Sequence, residues 1–326
     1  MNARTTGIIL AAAGAILFAG KAIVVKLTYR YDVDAVTVIA LRMLFSLPFF
    51  LAIGWYEARR ARRGQQPRLS RRDAALLTGL GLLGYYLSSF LDFIGLQYTS
   101  AGLERLILFL SPTFVLLITA AWLKRPIAPA QWLALALSYA GVIMVFAQDV
   151  SFGGEHVVRG SLFVLASALT YALYLIGSGE LVAKVGSTRL VAYAMTVSCF
   201  ACLVQFFVVH GTSQIVQPWG VYGWSMVHAV VNTVLPVFMI MWAVARVGAP
   251  VVSQVGMIGP VSVLFLAAWM LGEPITAWQL AGTALVTVGV FFIAGPPQDE
   301  KAAPSGGSKP KAQRGGKFTL SVRRKR

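Results

Sequence analysis

Five ionisable side chains interrupt stretches that are otherwise apolar: Lys21, Arg42, Asp92, Glu104 and Arg105. A charge at the centre of a bilayer costs about 2.5–3.5 kcal/mol or more, so such residues mark pairing, ion passage or ligand binding. At a rise of about 1.5 Å per residue, all five fall within roughly 4–11 Å of the same end of their apolar runs. They are therefore placed to meet. Three cations against two carboxylates leave one positive charge over. The chemistry this suits is reception of a carboxylate or phosphate, to which an arginine offers bidentate contacts. The same residues also fit a purely internal set of ion pairs, or long side chains snorkelling to an interface. Lys26, nearer a run end, is expected to be interfacial.

Polar and aromatic residues recur at helical spacing nearer the middle of the runs. Tyr85, Ser88, Ser89 and Asp92 share one helix face, as do Ser167, Tyr171, Tyr174 and Ser178. Trp224, His228 and Asn232 form a third such row, followed by Pro236. Aromatic walls with a few polar fixtures suit a small-molecule site; hydrogen bonding between helices accounts for the same rows without a ligand. The candidate substrate contacts are thus Lys21, Arg42, Tyr85, Ser89, Asp92, Arg105, Tyr171, Tyr174, His228 and Asn232. The candidates for proton exchange are Asp92, Glu104 and His228. Pro112, Pro236 and Pro260 are expected to break or hinge their helices.

The elements that must carry these residues follow from composition. Of 326 residues, 57% are hydrophobic and 12% charged, whereas a soluble domain carries about 25% charged residues. Ten runs approach the ~20 apolar residues that cross a bilayer. They lie near 7–27, 35–56, 74–96, 101–122, 128–147, 160–181, 190–210, 219–241, 249–271 and 277–294. The alternating pattern of a membrane barrel is absent, so the fold class expected is an all-α membrane protein.

The net charge of +16 has a topological explanation. With the N-terminus in the cytoplasm, 22 of the 28 Lys and Arg fall in cytoplasmic segments and two, Arg30 and Arg159, outside. That bias is what orients membrane proteins. It predicts both termini in the cytoplasm of a cell, with a plasma membrane (bacterial inner membrane) location. Residues 296–326, rich in Lys, Arg, Gly and Pro, are expected to form a disordered basic tail.

The chain also repeats itself. Residues 100–146 align with 248–294 at a constant offset of 148, placing Pro112 on Pro260, Pro126 on Pro274 and Gly141 on Gly289. Each half then holds five spans, an odd number, so the halves enter the membrane from opposite faces. The expected organisation is a first repeat at 5–147, an extracytoplasmic linker at 148–159 and a second repeat at 160–295. Inverted repeats of this kind place a substrate site between the halves.

Each half closes with an Ala-Trp pair followed by a Pro-containing turn, Ala121-Trp122-Leu123-Lys124-Arg125-Pro126 and Ala268-Trp269-Met270-Leu271-Gly272-Glu273-Pro274. In this the sequence resembles the drug/metabolite transporter superfamily, and its EamA-type ten-helix members in particular. The Leu-Gly-Glu-Pro turn is intact only in the second copy. The resemblance implies a ten-helix basket with a central cavity, and export or exchange of small metabolites. It does not name the metabolite.

Other chemistry is not supported. Cys199 and Cys202 have redox spacing but lie in an apolar span, where packing is expected. The glycines of 79–84 are followed by no phosphate-loop Lys-Ser/Thr, and no nucleophile–base–orienter trio is present, so no enzyme is expected. The expected partners are a small-molecule substrate and membrane lipids, with no cofactor, metal or nucleic acid and with a homodimer left open. A receptor or scaffold that keeps the fold without transporting is the alternative function.

Overall fold

The structure is a computed structural model that describes residues 2–294 except 65, 68, 125 and 154; the basic tail expected at 296–326 lies outside the described residues. No strand occurs among these residues. Ten apolar helices follow in order, nine of them long enough to cross a membrane and a last, shorter one over Ala277–Phe292. They are labelled here α1 (Ala3–Ala19 and Lys21–Tyr29), α2 (Ala35–Arg62), α3 (Arg71–Leu96), α4 (Ala101–Leu108 and Ser111–Leu123) and α5 (Pro129–Gly153) in the first half. The second half contains α6 (Glu155–Val185), α7 (Ser187–His210), α8 (Trp219–Val247), α9 (Ala249–Gly256 and Ile258–Leu271) and α10 (Ala277–Ala294). The stretch expected as a linker is mostly helical, because α5 continues to Gly153 and α6 begins at Glu155.

Helix pairing follows the repeat. The most extensive contacts join α5 to α10, α2 to α7, α1 to α8 and α3 to α6. Counting helices from the start of each half, α1–α8 and α6–α3 are the same pair with the halves exchanged, while α5–α10 and α2–α7 join equivalent helices. Each half therefore completes its packing only on the other.

The α5–α10 seam shows how close this is. A Cβ on Gly141 would lie 2.5 Å from the Gly282 carbonyl oxygen, and one on Gly289 would lie 2.6 Å from the Ala134 carbonyl oxygen. Adding 148 to Gly141 and Ala134 gives Gly289 and Gly282, so the two contacts are one contact repeated. Small residues let membrane helices approach where no water drives them together.

The helix interruptions are repeated too. Residues of α4 pause at Phe109–Leu110 before Pro112, and those of α9 at Met257 before Pro260. In α3 a wider i→i+5 turn occupies Leu82–Leu87, and in α8 one occupies Val230–Val234 just before Pro236. An offset of 148 carries the start of one onto the start of the other. Such turns concentrate at functional sites. By contrast α2 runs unbroken through Pro48.

Filling the seam should loosen the bundle. Gly141→Ala must push against backbone, and we expect a loss of about 1–3 kcal/mol, measured as thermal stability of the detergent-purified protein. Gly223→Ala, which meets nothing within 4 Å, should leave stability unchanged. Equal behaviour of the two variants would refute the tight seam.

Candidate functional site

Lys21 stands at the start of the second segment of α1, directly after the interruption at Gly20. Its ammonium donates to Asp92 Oδ2 of α3 at 2.5 Å and lies 3.3 Å from Glu104 Oε1 of α4. All three side chains are buried, Glu104 completely. The triad joins three helices of the first half through charge rather than apolar contact. Asp92 Oδ1 and both Glu104 oxygens make no aligned hydrogen bond.

Arg42 and Arg105 do not enter that triad. Among the described residues neither has a carboxylate within 4.0 Å, although they are only 5% and 7% exposed. Arg42, on α2, donates to Ser89 Oγ at 3.3 Å and lies 5.0 Å from the Phe93 ring centre. Arg105, on α4, sits 5.6 Å from the Phe18 ring and 5.5 Å from Phe109. A Cβ on Gly259 of α9 would lie 3.0 Å from its guanidinium, so Arg105 rests against the second half. Aromatic faces offset some of the cost of burying a guanidinium, yet the Nε of each arginine makes no hydrogen bond.

The second half supplies neutral polar groups. His228 stacks on Phe93 with ring centres 5.5 Å apart, and neither of its nitrogens is hydrogen-bonded. Phe93 thus carries an arginine from α2 and a histidine from α8. Asn232, within the wide turn of α8, donates through Nδ2 to the Leu17 carbonyl at 2.5 Å and leaves Oδ1 without a partner. That approach needs Gly20, where a Cβ would lie 2.9 Å from Asn232 Nδ2.

The tyrosine row is a contact between halves. Tyr174 hydroxyl donates to Tyr85 hydroxyl at 3.2 Å, and Tyr171 stacks on Tyr174 at 5.7 Å. Ser88 and Ser167 exchange hydrogen bonds with each other's carbonyls at 3.2 and 2.8 Å. The face expected from Ser88 and Ser167 is therefore closed upon itself as an α3–α6 contact, while Ser89 is turned to Arg42. Cys199 and Cys202 are buried free thiols.

Two features escape a reading of the sequence. The first is the pair of wide turns, for which glycines at 81 and 84 and the Asn-Thr before Pro236 are the slight local signals. The second is Glu273 of the Leu-Gly-Glu-Pro turn. Its carboxylate accepts from the Lys26 ammonium at 2.9 Å and from the Ala101 backbone N–H at 3.1 Å. Lys26, which also donates to the Thr99 carbonyl at 2.6 Å, is thus not a free interfacial cation. Nearby, Ser100 caps α4 by accepting from Leu103 N at 3.1 Å and donates to Asp149 at 2.5 Å. Glu273 closes the turn after α9 onto α1 and the N-terminus of α4, where a helix dipole favours an anion. The copy of this position in the first half is Arg125, of opposite charge.

Comparison with known proteins adds a family. The model of the EamA-like transporter family matches twice, over residues 5–147 and 158–295. The uncharacterized transporter YcbK of Bacillus subtilis (strain 168) is 31% identical over 297 residues, covering 88% of this chain and 91% of its own length. A second from that organism, the uncharacterized transporter YyaM, is 26% identical over 228 residues, 69% of this chain and 74% of its own. A solved crystal structure shares the fold, with a TM-score of 0.60 at 15% identity over 88% of this chain and 95% of that one.

The triad makes unequal demands on its members. Lys21→Met leaves two buried carboxylates without a cation and should cost about 3–5 kcal/mol, as removal of one partner of a buried pair does. Asp92→Asn should cost less, because Glu104 stays beside Lys21. Fluorescence-detected thermal unfolding of the two purified variants checks the order. A more damaging Asp92→Asn would contradict the shared ammonium.

Proposed function

The chain belongs to the EamA-like transporter family, and on that premise we propose that it is a secondary transporter for a small amphipathic anion. The observation that carries this reading is the charge inequality of the core. Lys21 is matched by Asp92 and Glu104, whereas Arg42 and Arg105 are buried on aromatic faces with no carboxylate partner among the described residues. A carboxylate or phosphate on the substrate supplies the missing anion through charge-assisted hydrogen bonds. The substrate's apolar part lies against Phe18, Phe93 and the Tyr85–Tyr171–Tyr174 group, and His228 and Asn232 give it polar contacts from the other half.

Transport runs by alternating access, as export or exchange across the plasma membrane, with both termini in the cytoplasm. The two halves rock about the interruptions at Gly20, before Pro112, Pro236 and Pro260, and at the wide turns of α3 and α8. Glu273, Lys26 and the N-terminus of α4 hold the extracytoplasmic side closed. Asp92 and Glu104 share one ammonium, so a proton taken up by either changes the balance with Lys21 and links the cycle to the proton gradient. His228 is the third group able to take part.

Two measurements test the reading. Small molecules in the medium are profiled from cells producing the wild type, Arg42→Gln or Arg105→Gln, with protein abundance matched. The wild type should change the level of organic anions, and each variant should cut that change about 10-fold or more, as loss of a hydrogen bond to a charged group implies. A response confined to neutral or cationic compounds, or variants as active as the wild type, overturns the anion site. For the closure, Thr99→Cys is introduced with Cys199 and Cys202 replaced by Ser. Adding Glu273→Gln should speed its labelling by a membrane-impermeant maleimide several-fold, about what one lost ionic contact gives; an unchanged rate removes Glu273 from the closure.

A further inference from the structure

A second pair of arginines lines a cavity away from the core, at the end of the bundle that carries the basic loops. A cavity of about 220 Å³, open to the surface, is lined by Ala58, Ala61, Arg62, Leu69, Arg189 and Tyr193. Arg189 is 3% exposed, yet its Nε makes no hydrogen bond and no carboxylate lies within 4.0 Å among the described residues. Its guanidinium is held in place by donation to the Pro67 carbonyl at 2.7 Å and by the Tyr193 ring at 5.6 Å. The local acids are already engaged. Glu57 accepts from Gln66 at 2.5 Å and Arg60 at 3.5 Å, and Asp73 accepts from Lys184 and from Ser70.

The backbone adds to the attraction. Arg189 is the third residue of α7, a 24-residue helix that begins after Gly186 at φ +82° with no side chain capping it. Its first N–H groups and its dipole favour an anion at that end. Arg62 is a second arginine in the lining of the same cavity. Two arginines lining one cavity, one of them in the first turn of a helix, suit a phosphate group.

The surroundings say which phosphate. The remaining wall, Ala58, Ala61 and Leu69, is apolar. Just before it on α2, Trp55 and Tyr56 are exposed, with Arg59 lying 3.7 Å and Arg60 5.9 Å from their ring centres. Exposed aromatic residues beside basic ones mark the level of lipid headgroups on a spanning helix. A soluble phosphate gains nothing from an apolar wall at that level. We infer that this cavity binds the phosphate of an anionic phospholipid, with Arg189 and Arg62 on the headgroup and the apolar wall beside its glycerol and upper chains.

The test uses the full chain purified in detergent, titrated with short-chain phosphatidylglycerol or phosphatidylcholine, with retained lipid counted by native mass spectrometry. The wild type should retain phosphatidylglycerol in preference, and Arg62→Gln and Arg189→Gln should each weaken that retention about 10-fold. Arg62 is exposed, so its variant reports even if Arg189→Gln fails to fold. Arg63→Gln, the same charge change on an exposed neighbour outside the cavity lining, should retain the lipid as the wild type does. Equal loss in Arg63→Gln means a diffuse basic surface and overturns the site. Absence of any preference in the wild type overturns it as well. Displacement of the lipid by glycerol 1-phosphate at equal concentration assigns the cavity to a soluble phosphate and overturns the lipid.

Discussion

The ammonium of Lys21 is the constraint around which the first half is arranged. Inside an apolar bundle a charge needs partners, and Lys21 has two, drawn from α3 and α4. Satisfying them fixes where the broken α1 must cross, because the ammonium leaves the helix one residue after Gly20. It also engages both Asp92 and Glu104. What remains on Arg42 and Arg105 is then a consequence: two buried guanidinia whose partners among the described residues are aromatic rings, Ser89 and the Met43 sulfur, with no carboxylate. A buried pair is weak evidence of stability when its members are matched, and a buried guanidinium without a carboxylate is costlier still.

Much of the fold was legible in the residues because lipid imposes few solutions. A run of apolar residues in a bilayer must be a helix, and an alignment of 100–146 with 248–294 predicts that the helices come in related sets. The pairing of α1 with α8 and of α3 with α6 realises that prediction in space. Gly141 and Gly289 illustrate the mechanism. Their equivalence is visible in the sequence, and in the structure each removes a Cβ from the same seam. The lengths of the helices were less legible. Residues such as Gln148, Asp149 and Glu155 look like loop by composition, yet α5 and α6 extend through them, since a helix is free to continue past the hydrocarbon into water.

The site was legible as a list and not as a set of partners. Depth along each run places Lys21, Asp92 and Glu104 at one level, but which cation takes both carboxylates depends on rotation of the helices about their axes. Ser88 and Ser89 show the limit: adjacent in sequence and on one broad face, one is spent on Ser167 and the other on Arg42. Lys26 is the clearest departure from expectation. Its position near a span end suggests an interfacial cation, but its partner is 247 residues away in sequence, where no local pattern reaches. The wide turns of α3 and α8 are hidden for a related reason, because an extra residue in a turn leaves the apolar pattern nearly unchanged.

The two halves share a backbone plan and differ in charge, and that difference gives the molecule its polarity. The five in-span Lys, Arg, Asp and Glu residues Lys21, Arg42, Asp92, Glu104 and Arg105 belong to the first half, while the second faces them with His228, Asn232 and tyrosines. An inverted repeat with identical halves has two equivalent mouths and no reason to favour either. Here the turn after α9 carries Glu273, which binds a helix N-terminus and a lysine of the other half. In the sequence its copy after α4 is Arg125, of opposite charge. One substitution in a duplicated turn thus separates the two copies, and the described one is tied to the first half by an ionic contact. The two halves therefore share one backbone plan while their turns differ in charge.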